Sequence, residues 1–251
     1  MDFSLLNEGE RVDDLQVNNL KIIQNPKGFC FGIDAVLLAN FTTLKKDAKV
    51  VDLGTGTGII PILLAGKSST SHITAVEIQE EVAEMAQRSV KLNNLEDRIK
   101  ILNKDLKDLS LKTNTYDVVT SNPPYMHPHG LININNKKAI SRHEIKCTLE
   151  DVIKVASKLL KHHGKFFMIH RPERLVDIVS LCRKYKLEPK RMQFIHPTYK
   201  KKANLILFEC RKAAMPELKL MEPFYVYNQE GNYTNETYDV YNKKSVEEGG
   251  K

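Results

Sequence analysis

The chain has 251 residues, enough for one or two domains and for a sizeable buried core. Its 38 Lys and Arg outnumber 31 Asp and Glu, giving a net charge of +7. That surplus suits an RNA partner through phosphate neutralisation, and it is equally what a solvated basic surface carries. Cys30, Cys147, Cys182 and Cys210 are far apart and form no C-x2-C pair, which argues against a metal centre, a thioredoxin-like motif and a disulfide framework. No apolar run nears the roughly eighteen residues of a membrane helix, and the first ten residues lack a signal-peptide pattern. The expectation is a cytoplasmic protein without a membrane partner.

Val12 to Gln24 alternates loosely and predicts a small hairpin. Asp34 to Asn40 reads as a short helix with Asp34 as its N-cap. Lys49-Val50-Val51-Asp52-Leu53 is an apolar strand, Gly54-Thr55-Gly56-Thr57-Gly58 a glycine loop, and Ile59 to Ala65 a helix. In that context glycines make a tight turn and let a ligand approach the backbone. The spacing is G-x-G-x-G and no Lys-Ser/Thr pair follows, so nothing here demands a pyrophosphate.

A second strand, His72 to Val76, ends in Glu77, placed to take two ribose hydroxyls. Residues 80 to 93 form a helix with Val82, Met85, Ala86 and Val90 on one face. A third strand, Ile99 to Asn103, is followed by Asp105, an acid within reach of an adenine amino group. A glycine loop with acids at three strand tips suits a nucleoside carrying a cationic tail.

The apolar run Tyr116 to Ser121 predicts a buried strand, and Asn122-Pro123-Pro124-Tyr125 follows at once. Proline fixes φ, lacks an N–H, and pushes the preceding residue to extended geometry. The Asn122 side-chain oxygen and the Pro123 carbonyl are thereby held as two acceptors for one planar NH2 group, with Tyr125 available to stack on the ring that carries it. Such a clamp predicts chemistry at an amino nitrogen attached to a flat π-system.

Met126 to Cys147 is a long polar connection, read as a substrate-gripping loop. Thr148-Leu149-Glu150-Asp151 resembles a capping box opening a helix to about Leu160, with Gly164 as its stop. A strand at Lys165 to His170, a helix at Pro172 to Tyr185, and an antiparallel pair at Lys190 to Ile195 and Leu205 to Cys210 complete the pattern. Strand–helix alternation predicts a doubly wound α/β sheet with ligands at the strands' carboxyl edge. The tail from Lys243 reads as disordered.

These motifs in this order resemble those of class I S-adenosylmethionine-dependent methyltransferases that modify amino groups. The flanking segments Asn25 to Ala39, Ser141-Arg142-His143-Glu144 and Tyr227 to Thr234 are similar to those of bacterial tRNA adenine-N6 methyltransferases, which act on the adenosine 3′ to the anticodon of a valine tRNA. The resemblance covers roughly residues 10 to 240. It implies a Rossmann-like, doubly wound, seven-stranded sheet, mostly parallel with one antiparallel strand. A small N-terminal extension to residue 33 would precede a methyltransferase domain over residues 34–242 and a tail over 243–251.

The implied cofactor is S-adenosyl-L-methionine, bound by Asp52, Gly54, Gly56, Gly58, Glu77, Asp105, Phe31 and Asp34, with residues 25–39 beside its methionine end. Asp34 is thus read as a cap, a cofactor neighbour, or both. Asn122, Pro123 and Tyr125 would be catalytic, without a general base; His127, His129 and His143 are the nearby histidines. Arg142, His143, Lys200, Lys201 and Lys202 would grip RNA, the partner being a tRNA anticodon stem-loop and the enzyme a monomer. The same clamp also suits a release-factor glutamine amide or the guanine N2 of ribosomal RNA. A non-catalytic RNA-binding module is the reading from another class, opposed by the intact glycine loop, Glu77 and Asn122.

Overall fold

The computed structural model describes residues 3–28, 30–69, 72–125 and 147–241. An antiparallel hairpin opens the chain, β1 (Arg11–Asp14) against β2 (Lys21–Gln24). The main sheet is built from β3 (Lys49–Leu53), β4 (His72–Glu77), β5 (Ile99–Asn103), β6 (Tyr116–Ser121), β7 (Leu160–His170), β8 (Leu187–His196), β9 (Leu205–Lys212), β10 (Lys219–Leu220) and β11 (Phe224–Tyr225). Its order is β10-β8-β9-β7-β6-β3-β4-β5, with β11 also on β8. Seven strands form the expected doubly wound sheet, and two two-residue strands extend it beyond β8.

Among the described strands of this sheet, only β9 runs against its neighbours, β7 and β8. The carboxyl ends of β3 to β8 therefore share one edge. That edge carries the glycine loop, Glu77, Asp105, Asn122 and the β8–β9 turn.

Helices α1 (Ile33–Phe41), α2 (Ile59–Lys67), α3 (Glu80–Leu92), α4 (Leu149–Leu159), α5 (Leu175–Lys184) and α6 (Asn235–Val240) complete the main elements. The strands alternate their side chains between two cores. Val50, Ile73, Val118 and Phe167 pack with α1 and α2, whereas Val51, Val76, Val119 and Phe166 pack with α4 and α5. Both faces are covered, so these strands are apolar throughout rather than alternating with polar residues. Each fully buried Val, Ile or Phe contributes roughly 1.5–3 kcal/mol relative to exposure.

The hairpin is fastened to α3 by polar side chains. Ile23 N–H donates to Ser89 Oγ at 3.0 Å, and Lys21 N–H donates to Asn93 Oδ1 at 2.8 Å. The Arg88 guanidinium, 14% exposed, pairs with the 5% exposed Glu10 carboxylate just before β1, and holds that carboxyl below its usual range mainly by hydrogen bonding.

Two local expectations change. The N-cap of α1 is Gly32, and Asp34 lies inside the first turn. There Asp34 accepts a hydrogen bond from Ala35 N–H through one oxygen and leaves the other for a long-range partner. Gly164 is not a helix stop, because α4 ends at Leu159 and β7 begins directly. Thr148 and Asp151 do form the predicted capping box. Gly164 sits where β7 crowds its own turn and β6. A Cβ there would lie 2.9 Å from Lys161 O and 3.1 Å from Tyr116 O, so only glycine fits without displacing backbone.

Candidate active site

The glycine loop is tied down by backbone. Gly54 and Thr55 N–H both donate to Val76 O at 2.9 Å, fixing the loop to the end of β4. Gly54, Gly56 and Gly58 all have positive φ, at 72°, 58° and 87°. Their surroundings differ. A Cβ on Gly58 would meet Ala86 Cβ at 3.3 Å, so this glycine serves packing against α3. Around Gly54 and Gly56 a Cβ would meet nothing within 4 Å. These two glycines border open space, the cradle a ligand needs.

Glu77, 5% exposed, spans the loop and the start of α3. Its Oε2 accepts from Gly56 N–H and its Oε1 from Gln79 N–H, both at 3.0 Å. Two N–H donors fix the carboxylate and leave each oxygen a further lone pair for a vicinal diol. Asn103 Nδ2 donates to Glu77 O at 3.0 Å and to Ile78 O at 3.1 Å, locking the tips of β4 and β5 together. Asp105 caps the following turn through Lys107 N–H at 2.9 Å. Its other oxygen is 3.9 Å from Lys107 Nζ.

Asp52 is completely buried. Its Oδ1 accepts from Thr120 Oγ1 at 2.6 Å. Its Oδ2 and the neighbouring Thr55 hydroxyl are buried outside hydrogen-bonding geometry, without a partner among the described residues. Burial pushes the Asp52 carboxyl up to about 6, against the opposing pull of the Thr120 hydroxyl. An orphaned acceptor of this kind is costly. Asp52 immediately precedes the glycine loop, and the open space at Gly54 and Gly56 with the fixed Glu77 carboxylate beside it fits S-adenosylmethionine. The cleft is lined by Phe31, Ala35, Gly54, Thr55, Gly56, Thr57, Ile59, Ile60 and Asn122, bringing the two halves of the expected site together.

Asn122 leaves β6 beside β3, where Ser121 Oγ donates to Leu53 O at 2.8 Å. Tyr125 folds back over the clamp. Its hydroxyl lies 2.9 Å from Asp34 Oδ2 and 2.8 Å from Asn122 Oδ1. The Arg171 guanidinium lies over the ring at 4.9 Å, and the His170 ring meets it edge-on at 5.4 Å. Burial, and then the Asp34 charge, push the phenol well above its usual range, so it keeps its proton. His170 is 2% exposed, its Nδ1 accepts from Arg171 N–H at 2.8 Å, and burial lowers it to about 4. The imidazole is therefore neutral.

Lys200, Lys201 and Lys202 lie in the β8–β9 turn on the same sheet edge. Arg142, His143, His127, His129 and the polar connection fall outside the described residues. The sequence reading missed Gln24, His170 and Arg171. Gln24, 1% exposed, accepts Phe31 N–H at 2.8 Å and donates to Asp13 Oδ2, which sets the residue lining the cleft. A lone Gln ending a strand and a His-Arg pair ending another carry no motif, so no sequence signal marks them. Among the described residues no group of three or more His, Cys, Asp or Glu is placed to hold a metal ion, and no helix is long and apolar enough to cross a membrane.

A sheet of this order, with a glycine loop after its central strand and its ligand groups on the carboxyl edge, is the frame of the class I methyltransferases. The chain belongs to the methyltransferase small domain family, which matches it over residues 31–176. It is 29% identical over 216 residues to the tRNA1(Val) (adenine(37)-N6)-methyltransferase of Bacteroides fragilis strain YCH46, covering 84% of this chain and 90% of that one. It is 28% identical over 215 residues to the protein of the same name from Porphyromonas gingivalis strain ATCC 33277, covering 82% and 84%. Among solved structures, a predicted O-methyltransferase from Agrobacterium tumefaciens superposes with a TM-score of 0.68 at 24% identity over 86% of this chain and 99% of that one. A geranyl diphosphate C-methyltransferase from Streptomyces coelicolor bound to S-adenosyl-L-homocysteine superposes at 0.55, covering 71% and 76%. At 11% identity that likeness concerns the fold.

Proposed function

We propose that this protein methylates the exocyclic N6 amino group of an adenine in tRNA, with S-adenosyl-L-methionine as methyl donor. The observation that carries the reading is the Asn122 clamp opening onto the same cleft as the glycine loop. Curated relatives named for adenine-37 of a valine tRNA supply the substrate. The anticodon stem-loop is the inferred partner, met by a monomer in the cytoplasm where tRNA resides.

The cofactor, when bound, offers a sulfonium methyl group that the substrate nitrogen takes in line, the carbon–sulfur electron pair leaving with S-adenosylhomocysteine. The chain supplies position and electrostatics. An exocyclic amine is a weak nucleophile because its lone pair is delocalised into the ring. Asn122 Oδ1 and the Pro123 carbonyl accept its two protons, turn the lone pair out of conjugation, and stabilise the charge that develops on nitrogen. The surplus proton then passes to water. Glu77 would hold the ribose hydroxyls, and the buried Asp52 charge next to the glycine loop would favour the cationic end. The target base must leave its stack, which a single-stranded loop makes inexpensive. Lys200, Lys201 and Lys202 meet phosphates, and Arg142 and His143 are assigned to the same RNA surface.

The test is incubation with S-adenosylmethionine and total tRNA lacking N6-methyladenosine, followed by nucleoside mass spectrometry. New N6-methyladenosine, abolished by Asn122→Ala, is expected. N2-methylguanosine in ribosomal RNA, or methylation of a release-factor glutamine in place of tRNA, would overturn the substrate.

A further inference from the structure

The Tyr125 hydroxyl has one proton and two acceptors in range, Asp34 Oδ2 at 2.9 Å and Asn122 Oδ1 at 2.8 Å. It cannot serve both fully. A carboxylate is the stronger acceptor, so the proton goes to Asp34. The phenol oxygen would then face the Asn122 carbonyl oxygen lone pair to lone pair. Turning the amide by 180° about its last bond removes the conflict, since Nδ2–H then donates to the phenol oxygen. Every group in the row is satisfied: Asp34 accepts, Tyr125 donates and accepts, Asn122 donates. The amide atom left for a substrate N–H is then Oδ1, the acceptor that the clamp requires.

We propose that Asp34, acting through the Tyr125 hydroxyl, is a positioning residue that fixes which face of the Asn122 amide meets the substrate. Tyr125 thereby has two separable roles, its ring and its hydroxyl. The ring is held independently by Arg171 at 4.9 Å and His170 at 5.4 Å, so removing only the hydroxyl leaves it in place. Asp34 is held in turn by α1, whose first turn supplies Ala35 N–H to its other oxygen at 2.9 Å. The row spans 91 residues of sequence, linking the N-terminal helix to the clamp. Without it, nothing in the row opposes the amide turning its NH2 group toward the substrate amine, an orientation that repels the amine's protons and blocks transfer.

The kinetic arm of the test rests on the proposed transfer to an amino nitrogen. The spectroscopic arm does not. In Tyr125→Phe and Asp34→Ala the single-turnover rate of methyl transfer should fall about tenfold, the scale of one hydrogen bond. In Tyr125→Phe, KM for RNA and affinity for S-adenosylhomocysteine should stay within about twofold, well below that tenfold scale. The double variant should be no slower than either single one, because both break the same row. Asp34→Asn, which still accepts the phenol proton through its amide oxygen, should recover most of the rate.

Independently of any substrate, the Asn122 side-chain NH2 signals, identified by their loss in Asn122→Ser, should shift in both Tyr125→Phe and Asp34→Ala. Wild-type rates in Tyr125→Phe, additive losses in the double variant, or unshifted Asn122 signals would each overturn the proposal. Should the wild-type protein methylate a different amine, the rate and NMR patterns would persist on that substrate. Their failure is therefore distinguishable from failure of the substrate assignment.

Discussion

Replacing Asp52 with Asn should make the protein more stable and a worse ligand binder. Asp52 is fully buried, one oxygen is satisfied by Thr120, and the other has no partner among the described residues. Burial raises its carboxyl from 3.8 to about 6. A raised carboxyl binds its proton more tightly in the folded state than in the unfolded one. Stability from this group is therefore greatest at low pH and falls as pH climbs from 3.8 through 6. At about 1.36 kcal/mol per pH unit between the two values, the ionised group costs about 3 kcal/mol above pH 7.

Asparagine removes that charge and retains an oxygen for the Thr120 hydroxyl, while its NH2 group has Thr55 Oγ1 as the adjacent acceptor. Allowing about 1 kcal/mol for imperfect pairing, Asp52→Asn should gain about 2 kcal/mol at pH 7.5. For a domain of this size that is about 4–8 °C in Tm. The assay is urea denaturation of both proteins from pH 5 to pH 8. The gap should widen by about 1.4 kcal/mol across that range. S-adenosylhomocysteine, which carries a cationic amino group, should then stabilise the wild type more than the variant. An equally stable variant, or a gap that ignores pH, would refute the idea that Asp52 keeps a desolvated charge for a ligand.

The glycine loop offers a paired comparison. Gly58→Ala should lose roughly 1–2 kcal/mol in denaturation through its left-handed backbone and the Ala86 contact, whereas Gly56→Ala should lose cofactor affinity as well, because its methyl enters the open cradle; equal affinities by calorimetry would sink this distinction. Glu77→Ala should raise the Kd for S-adenosylhomocysteine by about 10–100-fold, since it removes both the diol acceptors and the clamp on Gly56 N–H, and an unchanged titration would place the ribose elsewhere. Changing Lys200, Lys201 and Lys202 to Ala should reduce the slope of log K for RNA against log salt by about 0.7–0.9 for each phosphate that the turn no longer neutralises. An unchanged slope would remove this turn from the RNA surface.

Much of the frame was legible because it depends on local pattern. An apolar strand, a glycine loop and a helix in succession leave one topology, and the two-sided burial of β3, β4 and β6 follows from their continuous Val and Ile runs. The capping box at Thr148 also held, because its partners are three residues apart. Reading failed where a residue's meaning depends on distant backbone. Gly164 looked like a helix stop, but the Lys161 and Tyr116 carbonyls occupy the space a Cβ would need there. Asp34 looked like a cap because Asp caps helices well, yet Gly32 takes that position.

The position of Asp34 explains why the proposed catalytic half was only half legible. Asn122-Pro123-Pro124-Tyr125 announces an amine clamp through side-chain chemistry alone, but it does not say what orients the clamp. In the proposed row, orientation comes from a carboxylate 91 residues away, while a His-Arg pair closing β7 holds the Tyr125 ring. The buried Asp52 charge and the doubly claimed Tyr125 proton share one physical origin. Each is a polar group held out of water whose partner comes from a distant part of the chain, Thr120 for Asp52 and Asp34 for Tyr125. A chain selected for stability alone would have Asn or Leu at Asp52 and a single partner for Tyr125. Contacts of this kind add what the motifs lack, since motifs mark residue types and long-range polar contacts mark where the fold brings those residues together.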